Sequence, residues 1–391
     1  MVHGLVDVNR WNTDNVPVID LEGSPYEIGH KHGVLLQRQI LSQLTIYQEI
    51  FQNACKFDWD HVRSEAAEFQ PAIEELAPHL LHEMRGIVDG VNAPIPGGES
   101  DEKTRMVDLL DIIALNARSE IALGKFDDGC TSLAWDITGS VGPPKRVLAQ
   151  NWDWRTAVGS NLALGSIKQE GKPDIWMVLE PGIVGKIGFN SASVGVCLNA
   201  IRVCLTDAHM LPVHVVLRLL LEQPSLSDAL ALMERLRGCA SSQHILISSY
   251  AGSRGLEVSP AGTATLQEDA SGLIVHTNHF LANTLVDERP WLEGSPIRLD
   301  RAHALCEKLL TAHGKDILHK GLSPIILRSE VFSDTFNSPQ AICCIPDPAR
   351  AESVETLFNI VMVFEEGKPP HAEVLFGKPT KSDGKIYNMP W

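Results

Sequence analysis

The sequence has little positive charge. Its 391 residues carry 33 Lys and Arg against 49 Asp and Glu, a formal net charge of −16. That imbalance argues against non-specific nucleic-acid binding and against anionic membrane surfaces. A polyanionic ligand would need a local basic patch, for which Lys145-Arg146, Lys168 and Lys186 are the candidates, the alternative being ordinary solvated surface. Cys-x-x-Cys spacing is missing among the eight cysteines (Cys55, Cys130, Cys197, Cys204, Cys239, Cys306, Cys343, Cys344), so no structural zinc or other metal site is expected. The vicinal pair Cys343-Cys344 reads as buried free thiols. Residues 1–14 hold no apolar signal core, and no apolar run approaches membrane-spanning length. There is no internal repeat and no low-complexity tract. The apolar share, 44%, is that of an ordinary soluble globular protein. The length admits two or three average domains, or one layered α/β fold.

The most informative segment present is Asp127-Asp128-Gly129-Cys130-Thr131-Ser132. An acidic turn ends in Gly, then Cys, then strand-like residues. This is the layout of a precursor that cuts itself before the Cys. A thiol with a reference pKa of about 8.5 is mostly protonated at neutral pH, and the thiolate is the attacking form. An α-amine, with a pKa of about 7.7–8.0, is partly neutral at pH 7 and can take the thiol proton. Cutting the Gly129-Cys130 bond would therefore create nucleophile and base together, by an N-to-S acyl shift and hydrolysis of the thioester. Gly129, lacking Cβ, tolerates the conformation that brings the thiol to the preceding carbonyl. Taken alone, the dipeptide fits a small buried thiol at a strand start better, since most unpaired cysteines are core residues.

Further motifs accompany it. Pro25-Tyr26-Glu27-Ile28-Gly29 with His32-Gly33, and Leu115-Asn116-Ala117-Arg118-Ser119-Glu120, lie upstream. Gln150-Asn151-Trp152-Asp153-Trp154, Gly185-Lys186-Ile187-Gly188-Phe189-Asn190-Ser191-Ala192 and His276-Thr277-Asn278-His279-Phe280 lie downstream. In this order they resemble the acyl-coenzyme A:6-aminopenicillanic acid acyltransferase (isopenicillin N acyltransferase) family of N-terminal nucleophile (Ntn) hydrolases, from about residue 20 to about residue 380. The resemblance implies that Cys130 is the self-cleaving nucleophile and that Ser132 serves processing and site geometry. It implies that Asp153 holds the new α-amine and that Asn278 donates to the oxyanion. The family's Arg partner for the acidic residue precedes a Leu-Phe-Asn-Ile strand. Leu357-Phe358-Asn359-Ile360 is present here, but the ungapped position holds Ser353, so Arg350 takes the role only through a longer loop. Some family members carry a Ser-Lys-Leu tail. This chain ends Asn388-Met389-Pro390-Trp391, and the location expected is cytoplasmic.

The residues support parallel arguments. Asp153 follows the apolar Val147-Leu148-Ala149 and stands between two Trp, where a carboxylate needs a cation such as a new ammonium at Cys130. An Asp capping a turn is the alternative. Asn278 follows the strand-like run 273–277, from which its amide can meet an oxyanion; a plain loop Asn is the alternative. His276 and His279 suggest a Cys–His dyad, or hydrogen-bonded structural histidines.

Helices are expected at 24–51, opened by Ser24-Pro25-Tyr26-Glu27, at 61–91 with interruptions near Pro71 and Pro78, and at 104–118, with a loop at 92–103. Strand-like runs follow at 133–136, 147–152, 175–180, 186–189, 194–199, 244–249, 256–258, 273–276, 341–345, 356–364 and 372–376, with helices at 214–221, 226–236 and 299–310. The fold implied is α+β: a four-layer αββα Ntn-hydrolase sandwich, two antiparallel sheets between helical layers. One structural domain is expected, divided by cleavage into a helical pro-segment, 1–129, and a nucleophile-bearing chain, 130–391, that stay associated. The function expected is transfer of an acyl group, from a coenzyme A thioester or an N-acyl amide, to an amine such as 6-aminopenicillanic acid, or hydrolysis of the amide, through S-acyl Cys130. No cofactor is expected beyond coenzyme A thioester as a candidate co-substrate. The alternatives are an unprocessed binding or accessory protein and an uncleaved Cys–His thiol hydrolase.

Overall fold

The computed structural model describes residues 13–94, 106–122, 129–138, 143–288, 293–321, 323–347, 353–380 and 384–391. It opens with strand β1 (Val18–Glu22) and helix α1 (Pro25–Leu35). The Ser24 hydroxyl accepts from the Glu27 amide, and the Glu27 carboxylate accepts from Ser24 N at 2.8 Å, the capping box its spacing predicts. The helix expected to run on to Phe51 breaks at Leu36 (φ −115°), and α2 (Gln37–Ile50) takes over. α3 (Trp59–Leu76) passes through Pro71 without stopping. Phe69, Ala72 and Ile73 are buried around that proline, and their packing outweighs the lost hydrogen bond. Pro78 does separate helices, as first residue of α4 (Pro78–Val91). α5 (Leu109–Asn116) is capped by Asp108, later than expected, and α6 (Arg118–Ile121) follows.

Glycines let α1 and α4 touch backbone to backbone. A Cβ at Gly29 would lie 1.9 Å from the Glu83 carbonyl oxygen, and one at Gly86 would lie 2.2 Å from that of Tyr26.

The remainder alternates strands and helices: β2 (Gly129–Asp136), β3 (Lys145–Arg155), α7 (Thr156–Gly159), β4 (Ala163–Lys168), β5 (Ile175–Leu179), β6 (Gly188–Asn190), β7 (Gly195–Ala200), α8 (Val213–Leu221), α9 (Leu226–Leu236), β8 (Gln243–Ser249), β9 (Gly252–Ser259), β10 (Gly262–Leu266), β11 (Leu273–His276), α10 (Gly294–Gly321), α11 (Pro324–Leu327), β12 (Val354–Glu365), β13 (His371–Phe376) and β14 (Ile386–Met389). They form an eight-stranded sheet, β1-β4-β5-β6-β7-β8-β9-β10, and a six-stranded sheet, β11-β2-β3-β12-β13-β14.

The layers follow from alternation along the strands. On β2, Leu133 and Trp135 pack outward with Ala302, Leu305 and Leu309 of α10. Cys130 and Ala134 point inward, into a core shared with Val196 and Leu246 of the larger sheet. Phe364 of β12 meets Phe189 of β6 between the sheets, ring centroids 6.4 Å apart. α8 and α9 pack on the larger sheet. The chain is thus an αββα sandwich of the expected α+β class.

Three expectations need correction. β1 pairs with β4 in parallel, so the larger sheet is not wholly antiparallel. No strand forms at 341–345, because both edges of β12 are taken by β3 and β13; Cys343 N donates to the Asp334 carbonyl instead, and Cys344 N to Thr356 Oγ1. β2 begins at Gly129, so the dipeptide is already strand and lies before the run at 133–136. Among the described residues no helix is long and apolar enough to cross a membrane, and no group of three or more His, Cys, Asp or Glu could hold a metal ion.

Candidate active site

Register on the six-stranded sheet brings the sequence candidates together. β2 and β3 pair with Gly129 opposite Asp153 and Cys130 opposite Trp152. Asp153 is buried, and its Oδ1 accepts from Thr356 Oγ1 at 2.6 Å. A Cβ built at Gly129 would lie 3.1 Å from Asp153 Oδ2 and 3.7 Å from Arg298 Nη2, so glycine leaves room for a carboxylate and a guanidinium beside this bond.

Cys130 is 1% exposed. Its N–H donates to Asn278 Oδ1 at 2.8 Å, and its carbonyl accepts from Arg298 Nη1 at 2.5 Å. Asn278 follows β11, the neighbour of β2. Its Oδ1 also accepts from Arg298 Nη2 at 2.8 Å, and its Nδ2 donates to the Ala200 carbonyl at 2.9 Å. An amide nitrogen carries two hydrogens, so the Ala200 bond occupies one of them. Ser132, inward on β2, donates to Asn199 Oδ1 at 2.6 Å. Thr131, outward, accepts from Arg298 Nη1 at 3.1 Å.

Arg298 is the residue that sequence reasoning missed. It is 3% exposed and bridges Cys130, Thr131 and Asn278 from α10. Arg350, the expected cation, lies outside the described residues, as do Asp127 and Asp128. One signal was available: a cation just inside a helix start runs against the macrodipole and needs a reason. The helix was expected only from 299, which hid it.

The histidines have other duties. His276 Nε2 meets Glu257 Oε1 at 2.9 Å and its Nδ1 meets the Thr277 carbonyl at 2.8 Å, so both ring nitrogens are occupied. Glu257 also accepts from the backbone N–H groups of Leu281, Ala282 and Asn283, fixing the loop after Asn278. Burial works against that carboxylate, yet these bonds and His276 hold it below the ordinary range. His279 Nδ1 meets Ser295 Oγ at 2.8 Å, which also accepts from Asn278 N at 2.8 Å.

The inner side of Cys130 carries buried charge. Lys186, a candidate for solvated surface, is 2% exposed instead, with its Nζ 3.5 Å from the centroid of the Trp152 ring. It donates to Glu180 Oε2 at 2.5 Å, and Arg118 Nη2 donates to the same oxygen at 3.0 Å. Tyr47 Oη and Gln43 Nε2 donate to Glu180 Oε1. Burial alone would raise the Glu180 carboxyl, but Arg118 and Lys186 hold it well below the usual range. Burial lowers Lys186 to about 8, with Glu180 opposing the shift. The upstream motifs anchor this region: Asn116 bonds the Gly182 carbonyl and Val184 N, and His32 accepts from Gly182 N. The other basic candidates do not gather here. Arg146 pairs with Glu268 and Asp136, six register steps and about 20 Å along the strand from Trp152. Lys145 meets Glu365, and Lys168 is exposed.

A sequence profile of the family described as acyl-coenzyme A:6-aminopenicillanic acid acyl-transferase matches residues 141–349, beginning after Cys130. The protein named acyl-coenzyme A:6-aminopenicillanic-acid-acyltransferase 40 kDa form, from Emericella nidulans, is 30% identical over 367 residues, 93% of this chain and 94% of that one. Among solved structures, penicillin V acylase from Agrobacterium tumefaciens aligns with a TM-score of 0.39 at 12% identity, over 66% of this chain and 85% of that one. A variant of conjugated bile acid hydrolase from Clostridium perfringens aligns with a TM-score of 0.36 at 11% identity, over 66% and 84%.

Proposed function

This chain belongs to the acyl-coenzyme A:6-aminopenicillanic acid acyltransferase family, and we propose that it is a self-processing enzyme with Cys130 as its nucleophile. It is an enzyme of acyl transfer or amide hydrolysis. The observation that carries the mechanism is the setting of Cys130 at the head of β2. Its amide rests on Asn278, its carbonyl on Arg298, and Asp153 stands across from Gly129.

In the uncut chain the sulfur attacks the Gly129 carbonyl carbon. The C–N bond opens, the nitrogen takes a proton, and water hydrolyses the thioester. The new α-amine then lies where the amide lies now, 2.8 Å from Asn278 Oδ1, with Asp153 opposite the cut bond. As an amine of pKa about 7.7–8.0, it takes the proton of its own thiol in each later turnover. An acyl-coenzyme A thioester or an N-acyl amide then acylates the sulfur. We assign the oxyanion to the remaining N–H of Asn278; the Ala200 bond leaves that hydrogen unused, and Arg298 adds positive charge beside Asn278. An amine acceptor such as 6-aminopenicillanic acid, or water, releases the acyl group. The occupied nitrogens of His276 weigh against a Cys–His pair.

Intact mass and N-terminal sequencing of purified protein test this. The expected result is two pieces, the larger starting at Cys130, with Cys130→Ala a single chain lacking activity. An active wild-type chain that stays whole would falsify the mechanism.

A further inference from the structure

We propose that Lys186 is the buried ammonium that keeps the Cys130 sulfur as a thiolate, above all in the uncut chain, where the Cys130 nitrogen is still an amide and no amine base exists. The inference rests on Cys130 being the nucleophile.

The placement comes from the sheet. Cys130 and Trp152 are register partners on neighbouring strands, so their side chains share a face with Cβ atoms about 5 Å apart. Lys186 Nζ lies over that Trp152 ring, 3.5 Å from its centroid, so the ammonium occupies the face into which the thiol points. The coupling between the two groups has the matching sign: a negative sulfur at Cys130 raises the proton affinity of Lys186. By reciprocity, a charged Lys186 favours the negative sulfur.

Glu180 is the carboxylate bonded to Lys186, and the sulfur is the second anion that the Lys186 charge can answer on this face. Glu180 carries one negative charge against two positive ones, Lys186 and Arg118, on a single oxygen. Burial pushes Tyr47 well above its ordinary range and, with Arg118 and Lys186, pushes His214 well below its own, so both stay neutral. Cys197, on β7, is pushed up by burial and by Cys130 and stays a thiol. Glu120, bonded to Val213 N and Ser241 Oγ, has its carboxyl raised by burial. Glu257 is taken up by hydrogen bonds from the His276 ring and the 281–283 backbone, and burial keeps His244, stacked on that ring, neutral.

The acyl shift balances. The thiol gives up its proton, its electron pair forms the bond to the Gly129 carbonyl carbon, and the departing nitrogen takes one proton back. Lys186 enters only as charge: it is a positioning residue for the sulfur.

The test is the pH profile of Cys130 alkylation by iodoacetamide, read by peptide mass mapping. In the wild type the midpoint should fall below about 8.5, the ordinary thiol value. Lys186→Met should move it up by about one pH unit, slow alkylation at pH 7 by about tenfold, and slow chain cutting comparably. It leaves Glu180 and Arg118 matched one to one, so no buried charge is orphaned. Lys186→Arg should stay near the wild-type midpoint. A wild-type midpoint at or above about 8.5, or equal midpoints in wild type and Lys186→Met, overturns the proposal. If Lys186→Met does not fold, the wild-type midpoint decides. Cutting is read separately: a wild type that never cuts sinks the processing mechanism, while the midpoint still judges Lys186.

Discussion

Arg298 shows how much one side chain can do when its geometry is fixed. A guanidinium has five donors in a rigid fork, and here the fork meets the Cys130 carbonyl, Thr131 Oγ1 and Asn278 Oδ1 together. Close by, the loop after Asn278 carries a second acid with an unusual setting. Glu288 Oε2 accepts from Phe280 N at 2.7 Å, while burial, with Glu257 adding to it, raises its carboxyl to about 7. Its folded value lies above the unfolded value of about 4.3. The folded state therefore holds the extra proton between those values, and the resulting stability, full below about pH 4.3, is lost as pH rises through about 7. Glu288→Gln keeps an acceptor for Phe280 and removes the titration. Its melting temperature relative to wild type should be higher at pH 8 than at pH 5. A difference that does not change with pH would show that Glu288 does not titrate in this window.

Elements decide which residues meet. The β2–β3 register sets Asp153 against Gly129, and a slip of one residue would send Cys130 to the outer face. α10, starting at Gly294, supplies Arg298 from its first turns. The α1–α4 contact does the same for the loop at 180–186, since α1 carries His32 to Gly182 N. That contact depends on glycine, because a Cβ at Gly29 would stand 1.9 Å from a carbonyl oxygen. Gly29→Ala should destabilise the protein by about 1–3 kcal/mol through overpacking. Urea unfolding would show a lower midpoint at unchanged slope. An unchanged midpoint would mean that the helices part without cost.

At the scale of the molecule, one core spans the proposed cut. Ile28, Tyr47, Met84 and Ile113, before the bond, pack in the same cluster as Trp152, Val196 and Phe358, after it. No disulfide joins any two of the eight cysteines. Apolar burial, together with the β1–β4 pairing and buried pairs such as Arg118 with Glu180, therefore holds the two pieces together. They should elute as one species in size-exclusion chromatography, with or without reductant, and separate only in denaturant. Two peaks under native conditions would contradict a shared core. The same scale explains how Arg118 joins Lys186 on Glu180: Glu180 and Lys186 share one loop, while Arg118 comes from α6 and reaches that carboxylate only because the layers close over it.

The sequence by itself determined what local physics encodes. Ser24 with Glu27 marked a helix start, alternating apolar residues marked most strands after Cys130, and the ordered motifs pointed to Cys130, Asp153 and Asn278. β1 was missed although Ile19 and Leu21 alternate with Asp20 and Glu22, while β4, β10 and β14 carry weaker patterns and owe more to their partners. Only the tertiary structure decided that Arg298 reaches Cys130, that His276 is already engaged, and that Lys186 lies under Trp152 instead of in water. Those facts depend on registers and layer contacts between residues far apart in the chain, which are set by the packing of one core and by no short-range preference.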